Sequence, residues 1–150
     1  MMSDFKNLNE KNFIRLSRSM IKVLDEGEDG SGLEAAVLLC ELIAEYEFYV
    51  GRKMLTEDGY FFSTVENIKN KIGLSKHKQL EAVKLLKGHG IIDCKQKGLP
   101  SKRYFKILKD GTDNLRKKMK IYEKNNSDVS LEVDDKNEVI KKKDFSGYSF

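Results

Sequence analysis

At 150 residues the chain has room for one domain, and 39% hydrophobic residues are enough for a modest core. No apolar run approaches the roughly 20 residues that a membrane span needs, and the first thirty residues hold no continuous apolar segment of a secretory signal. A cytoplasmic protein with no membrane partner is therefore expected.

The formal net charge is only +4, but it is unevenly placed. Residues 60–109 hold twelve Lys and Arg against three acids, a net +9, while the rest of the chain holds sixteen against twenty-one, a net −5. A positive block on an otherwise acidic chain points to a polyanionic partner.

Residues 1–11 are polar and expected to fray. Residues 12–24 place Phe13, Leu16, Met20, Val23 and Leu24 at helical spacing, with Asn12 as N-cap. Such a stripe has to be covered by the rest of the domain or by a second copy, so a homodimer is expected. Residues 25–32 are acidic and glycine-rich, which predicts a flexible connection. Residues 33–49 read as a largely buried helix. Leu33, Ala36, Val37, Cys40, Ile43 and Ala44 run along one stripe, widened by Leu39 and Leu42. Glu34, Glu41 and Glu45 mark its wet side. A loop over 51–59 ends in Asp58-Gly59, a turn signal before a short aromatic strand at Tyr60, Phe61 and Phe62.

Ser63 and Glu66 form a capping box for a short helix with Val65, Ile68 and Ile72 inward. Gly73 is placed to end it in a left-handed conformation, Leu74 fills the turn, and Ser75 caps the next helix. That helix, 76–87, turns Leu80, Val83 and Leu86 inward, supported by Ala82 and Leu85. It leaves Lys76, His77, Lys78, Glu81 and Lys84 outside. Gly88 and Gly90 stop it. A strand follows through Ile91, Ile92 and Cys94, then a hairpin tip around Gly98 and Pro100, then a returning strand with Tyr104, Phe105 and Ile107. Residues 109–124 predict a polar helix with Leu115, Met119 and Tyr122 on one side. Residues 125–150 have the mixed charge of a disordered tail. Its aromatic end, 145–150, either docks on the domain or plays no part.

The fold class expected is α+β, mainly α. It is a winged helix-turn-helix over 1–110 with an extra N-terminal helix, followed over 111–150 by a polar helix and tail. Cys40 and Cys94 each lie in an apolar run with no metal-ligand spacing, so reduced buried thiols are expected. There is no glycine-rich phosphate loop, HisGluXXHis motif or nucleophile elbow. Neither an enzyme nor a cofactor or metal is expected.

Binding to double-stranded DNA is the function this order and charge suggest. Lys76, His77, Lys78 and Gln79 open the second helix of the turn, where backbone N–H groups favour phosphate and where such helices enter the major groove. Lys84 follows on the same helix. Lys95, Lys97, Lys102 and Arg103 sit on the hairpin, placed to reach phosphates or the minor groove. For each of these lysines the plainer role is solubility, and His77 and His89 can simply be exposed; the group argues more strongly than any member.

The segments 60–68, 73–75, 82–92 and 97–107 resemble the winged-helix N-terminal domains of replication initiators from Gram-positive plasmids and phages. Those families are the RepA_N-type initiators and the DnaD-type or phage replisome organisers. The resemblance spans roughly residues 12–108. It implies origin binding, often as a dimer, with a C-terminal region that recruits replication proteins. After residue 110 this chain leaves no room for a second folded domain, so either it is a stand-alone DNA-binding protein, with any contact to replication proteins through its tail, or it is a fragment of a longer initiator. A transcriptional regulator on the same fold, or a protein-interaction winged helix without DNA, are the alternatives.

Overall fold

The longest element, a helix over Ser31–Gly51, runs through the centre of the chain's computed structural model. The structure describes residues 13–127, and beyond them the backbone of two short strands at 132–133 and 139–140. In chain order the elements are α1 (Arg18–Leu24), α2 (Ser31–Gly51), β1 (Phe61–Phe62), α3 (Val65–Ile72), α4 (Lys76–Gly88), β2 (Ile92–Lys97), β3 (Lys102–Ile107), α5 (Lys109–Ser127), β4 (Glu132–Val133) and β5 (Val139–Ile140). The class is α+β, mainly helical, with a three-stranded antiparallel sheet in the order β1-β3-β2.

Ala35, Ala36, Leu38, Leu39 and Leu42 of α2 are fully buried. They meet Phe61, Ile68, Leu86, Ile92 and Phe105 in one core. A large side chain fully buried there contributes about 1.5–3 kcal/mol. The expected stripe was set slightly wrong: Leu33 is 47% exposed, and Glu41 and Glu45, expected in water, are buried.

Helix α1 starts at Arg18, later than expected, because Ser17 is its N-cap: Ser17 Oγ accepts from the Met20 N–H at 3.4 Å. Asn12 lies outside the described residues. Phe13 and Leu16 precede the helix and are exposed. Leu24 is buried in the core, with Met20, Ile21 and Val23 packed against it. The apolar side of α1 is thus covered within the chain, which removes the reason for expecting a second copy over it. The connection to α2 is pinned rather than loose. Asp25 Oδ1 accepts from the N–H groups of Gly30 at 3.0 Å and Gly32 at 3.1 Å.

Two further local expectations change. Thr64, not Ser63, caps α3; its Oγ1 accepts from the Asn67 N–H at 2.9 Å. Ser63 is taken by the sheet instead, its N–H donating to the Arg103 carbonyl at 3.1 Å. In α4 the inward residues are Gln79, Ala82, Val83 and Leu86, and Leu80 is 50% exposed. The inward set keeps the i, i+3, i+4, i+7 spacing of a buried helix face. It is shifted one residue from the expected one because a glutamine occupies a core position.

Gly73 ends α3 at φ +75°, and Ser75 Oγ caps α4 by accepting from the Lys78 N–H at 3.3 Å, both as expected. Helix α5 is locked to the sheet at its first turn. The Leu108 N–H donates to the Ile91 carbonyl at 2.8 Å, and a Cβ added to Gly111 would lie 1.8 Å from the Gly90 carbonyl oxygen. Its far end meets α1, where Ser19 Oγ donates to Glu123 Oε2 at 2.5 Å. Residues 125–150 are not wholly without structure: α5 runs to Ser127, and Glu132 and Val133 pair antiparallel with Ile140 and Val139. The aromatic segment 145–150 lies outside the described residues, as do residues 1–11. Among the described residues no helix is long and apolar enough to cross a membrane.

Candidate nucleic-acid interface

The basic residues singled out on α4 and the hairpin fall into three places. The first is the outer side of α4. Lys76, His77, Lys78 and Lys84 are all exposed there, together with Lys87 and Leu80. The Ser75 cap holds the start of the helix, so its free N–H groups open beside Lys76 and His77. Lys78 is partly engaged, its Nζ lying 3.4 Å from Glu34 Oε1 of α2. Lys87 Nζ reaches the Cys94 carbonyl at 3.4 Å and so bridges α4 to β2.

The second place is the outward face of the sheet. Strand β3 alternates, with Arg103 and Phe105 buried and Lys102 exposed. The register then puts Lys95 opposite Tyr104 and Lys97 opposite Lys102, and sets Phe62 opposite Tyr104 from β1. Lysine ammonium groups lie over the aromatic rings of this face. Lys95 Nζ is 3.9 Å from the Tyr60 ring centroid, Lys106 is 5.7 Å from it, Lys102 is 5.3 Å from Phe62 and Lys97 is 6.0 Å from Tyr104. Each such contact contributes about 0.5–1 kcal/mol at an exposed site. The Tyr60 hydroxyl donates to Asp93, which holds the Asp93 carboxyl below its usual range and pushes the tyrosine up to about 12. Lys95 also pairs with Asp58 at 3.0 Å. That contact, after the Thr56 hydroxyl, helps hold the Asp58 carboxyl at about 2.

The third place is the interior, and it removes two expected contacts. Gln79 is fully buried and Arg103 is 8% exposed. Gln79 Nε2 donates to the carbonyls of Val65 at 3.0 Å and Leu74 at 2.8 Å, stapling the start of α3 to the turn. Arg103 donates from Nε to the Ser63 carbonyl at 3.1 Å and from Nη2 to Gln79 Oε1 at 2.8 Å. Its Nη1 has no hydrogen-bond partner among the described residues. Burial lowers its pKa, offset only in part by its neighbours Cys94 and Glu45. Neither side chain reaches a ligand from there; both set the angle between α3, α4 and the sheet.

Tyr104 and Phe105 were expected to face opposite ways, one in the core and one on the wing surface, and Phe105 is the core residue. Sequence reasoning missed Lys106, Tyr60 and Phe62 as parts of the outward sheet face. The signal was the period of two: once Phe105 is core, residues 102, 104 and 106 share the opposite face.

A separate cleft of about 980 Å3 opens between the second half of α2 and α3, lined by Glu41, Glu45, Phe48, Phe62, Asn67 and Lys71 among others. Lys71 Nζ lies 3.6 Å from Glu41 and 3.8 Å from Glu45. Asn67 Nδ2 donates to Glu45 at 3.3 Å. Burial first, then the hydrogen bond and charge of Glu45, push the Glu41 carboxyl up to about 7, against the pull of Lys71. The cleft is acidic at its floor and adjoins the outward sheet face through Phe62, which lines both. Cys40 and Cys94 are both free thiols with pKa raised by burial. Among the described residues no three His, Cys, Asp or Glu side chains are grouped to hold a metal ion.

Compared with protein-family models, with curated proteins and with solved structures, the chain matches none.

Proposed function

We propose that the chain is a winged-helix protein that binds double-stranded DNA, with α3 and α4 as the helix-turn-helix and the β2–β3 hairpin as the wing. The observation that carries this reading is the disposition of its lysines. Lys76, Lys84, Lys97 and Lys102 all stand on outward surfaces of these elements and none forms an ion pair with a described residue. Charges left unpaired at the surface are available to phosphates. In this reading α4 enters the major groove by its N-terminal turn, as helices of this kind do. Lys76 and Lys84 reach phosphate or guanine, and exposed Leu80 offers an apolar contact to a thymine methyl. Lys95, Lys97 and Lys102 hold the backbone. Gln79 and Arg103 position α4 and make no contact. Replication initiation on a plasmid or phage origin, as a homodimer, is the role that the resemblance adds to this proposal.

Titration of a labelled duplex at several salt concentrations, then selection from a random pool, tests it. Salt-dependent binding with a slope near −4 for four to five phosphate contacts is expected. No binding, or binding indifferent to salt, overturns it. A second reading, a winged helix that binds a protein, is favoured by the acidic, ring-lined cleft. It predicts capture of a basic polypeptide without any shift of DNA.

A further inference from the structure

We infer that the outward face of the sheet is a second binding site, one that takes the unpaired bases of single-stranded DNA on the rings of Phe62 and Tyr104. Helices α2 and α4 pack on the other side of the sheet, where Phe105 and Ile92 are buried. On the outward side the two rings are cross-strand neighbours with centroids 5.8 Å apart, and both are half-buried rather than enclosed. Lys97 and Lys102 lie over them and form no ion pair with a described residue.

A duplex cannot use such rings, because its base faces are already stacked on one another. A single strand can, and flat aromatic side chains flanked by cations are what such strands stack on. The rings are now covered by ammonium groups, so a base must displace them. The exchange favours binding. An exposed cation–π contact is weaker than a base stacked on an aromatic side chain. The displaced ammonium also moves only as far as the neighbouring phosphate, where it releases a counterion. The site uses no residue of α4; it shares Lys97 and Lys102 with the wing of the duplex reading, and the two rings are its own.

The test uses the full chain and three labelled strands of equal length, followed by anisotropy: oligothymidine, an abasic strand with the same phosphates, and oligouridine. Oligothymidine binding roughly 10-fold tighter than the abasic strand is expected. Tyr104→Leu should lose about 5- to 10-fold for oligothymidine while Tyr104→Phe keeps it. Lys118→Ala, on the exposed side of α5, should leave oligothymidine binding unchanged, with thermal melts confirming that each variant is folded. Equal binding of the abasic strand, or an unaffected folded Tyr104→Leu, overturns the inference. Tighter binding of oligouridine overturns the assignment to DNA. Duplex binding without oligothymidine binding sinks this site and leaves the proposed function standing; the converse sinks the proposed function alone.

Discussion

Arg103 Nη2 donates to Gln79 Oε1 across 2.8 Å, joining the middle of the sheet to the first turn of α4 inside the core. Gln79 passes the constraint on to Val65 and Leu74. The angle of α4 is therefore fixed by a chain of hydrogen bonds as well as by packing.

Breaking that chain costs stability first. Arg103→Met leaves Gln79 Oε1 and the Ser63 carbonyl without donors and should destabilise by about 2–4 kcal/mol. Gln79→Leu should cost a similar amount, and the double variant less than the two combined, because they share one network. Urea denaturation reads all three. At low temperature, where Arg103→Met is still folded, the salt slope of its duplex binding should match the parent's, since Arg103 contacts no phosphate. A slope lowered by about 0.9, as for Lys84→Ala, would return Arg103 to the DNA surface.

The exposed lysines should act through charge. Lys84→Ala and Lys97→Ala should each weaken duplex binding and lower the salt slope by about 0.9. Lys78→Ala should matter less than Lys76→Ala, since Lys78 is already held 3.4 Å from Glu34. Glu34→Gln should then tighten binding by releasing it. Affinities measured at two salt concentrations check the set, and identical slopes for every variant would count against direct phosphate contact.

The contribution of Glu41 to stability should fall as pH rises from about 4.5 to about 7. Glu41 is pushed up to about 7 in the fold and titrates near 4.5 when unfolded. Below 4.5 both states hold the proton and the residue makes no difference to pH dependence. Between 4.5 and 7 the unfolded chain loses its proton first, so unfolding gains; the full cost is reached above 7. Glu41→Gln should flatten this part of the profile and raise stability at pH 8 by on the order of 2 kcal/mol. Thermal melts from pH 4 to pH 8 would show it, and parallel profiles for parent and variant would refute it.

Gly111→Ala should be among the most damaging single changes. The added Cβ meets the backbone of Gly90 and Ile91 at 1.8–2.7 Å, and backbone cannot swing aside as a long side chain can. A loss of about 3 kcal/mol or more is expected, beyond ordinary overpacking. The start of α5 should detach from the sheet, visible as faster amide exchange at Leu108, whose N–H bonds Ile91. A variant as stable as the parent would mean that α5 is free to shift.

Where signals are local, the sequence was readable. Gly73 and Ser75 were placed correctly because a left-handed end and a hydroxyl cap depend on their own backbone. Ser63 and Thr64 were not told apart, since both can cap. What separates them is pairing with β3, forty residues away, which takes Ser63 into the sheet. Gln79 and Leu80 were exchanged for a similar reason: hydrophobicity puts leucine inside, and only the carbonyls of Val65 and Leu74 explain a buried glutamine. Glu41 and Glu45 look like solvent-facing acids until Lys71 and Asn67 of α3 close over them. Arg103 was grouped with Lys102 by charge, though adjacent strand residues must face opposite ways. The proposed wing and reader helix follow from element order and charge; which of their residues face out did not.

The alternation along β3 also bears on how the gene can change. A one-residue insertion or deletion within 102–107 would turn Arg103 and Phe105 outward and drive lysines into the core. The tip between β2 and β3 carries no such penalty, and Leu99 there is wholly exposed. Descendants of this chain are thus expected to vary in length at 98–101 while the two strands keep theirs, so hairpin reach can evolve without disturbing the interior.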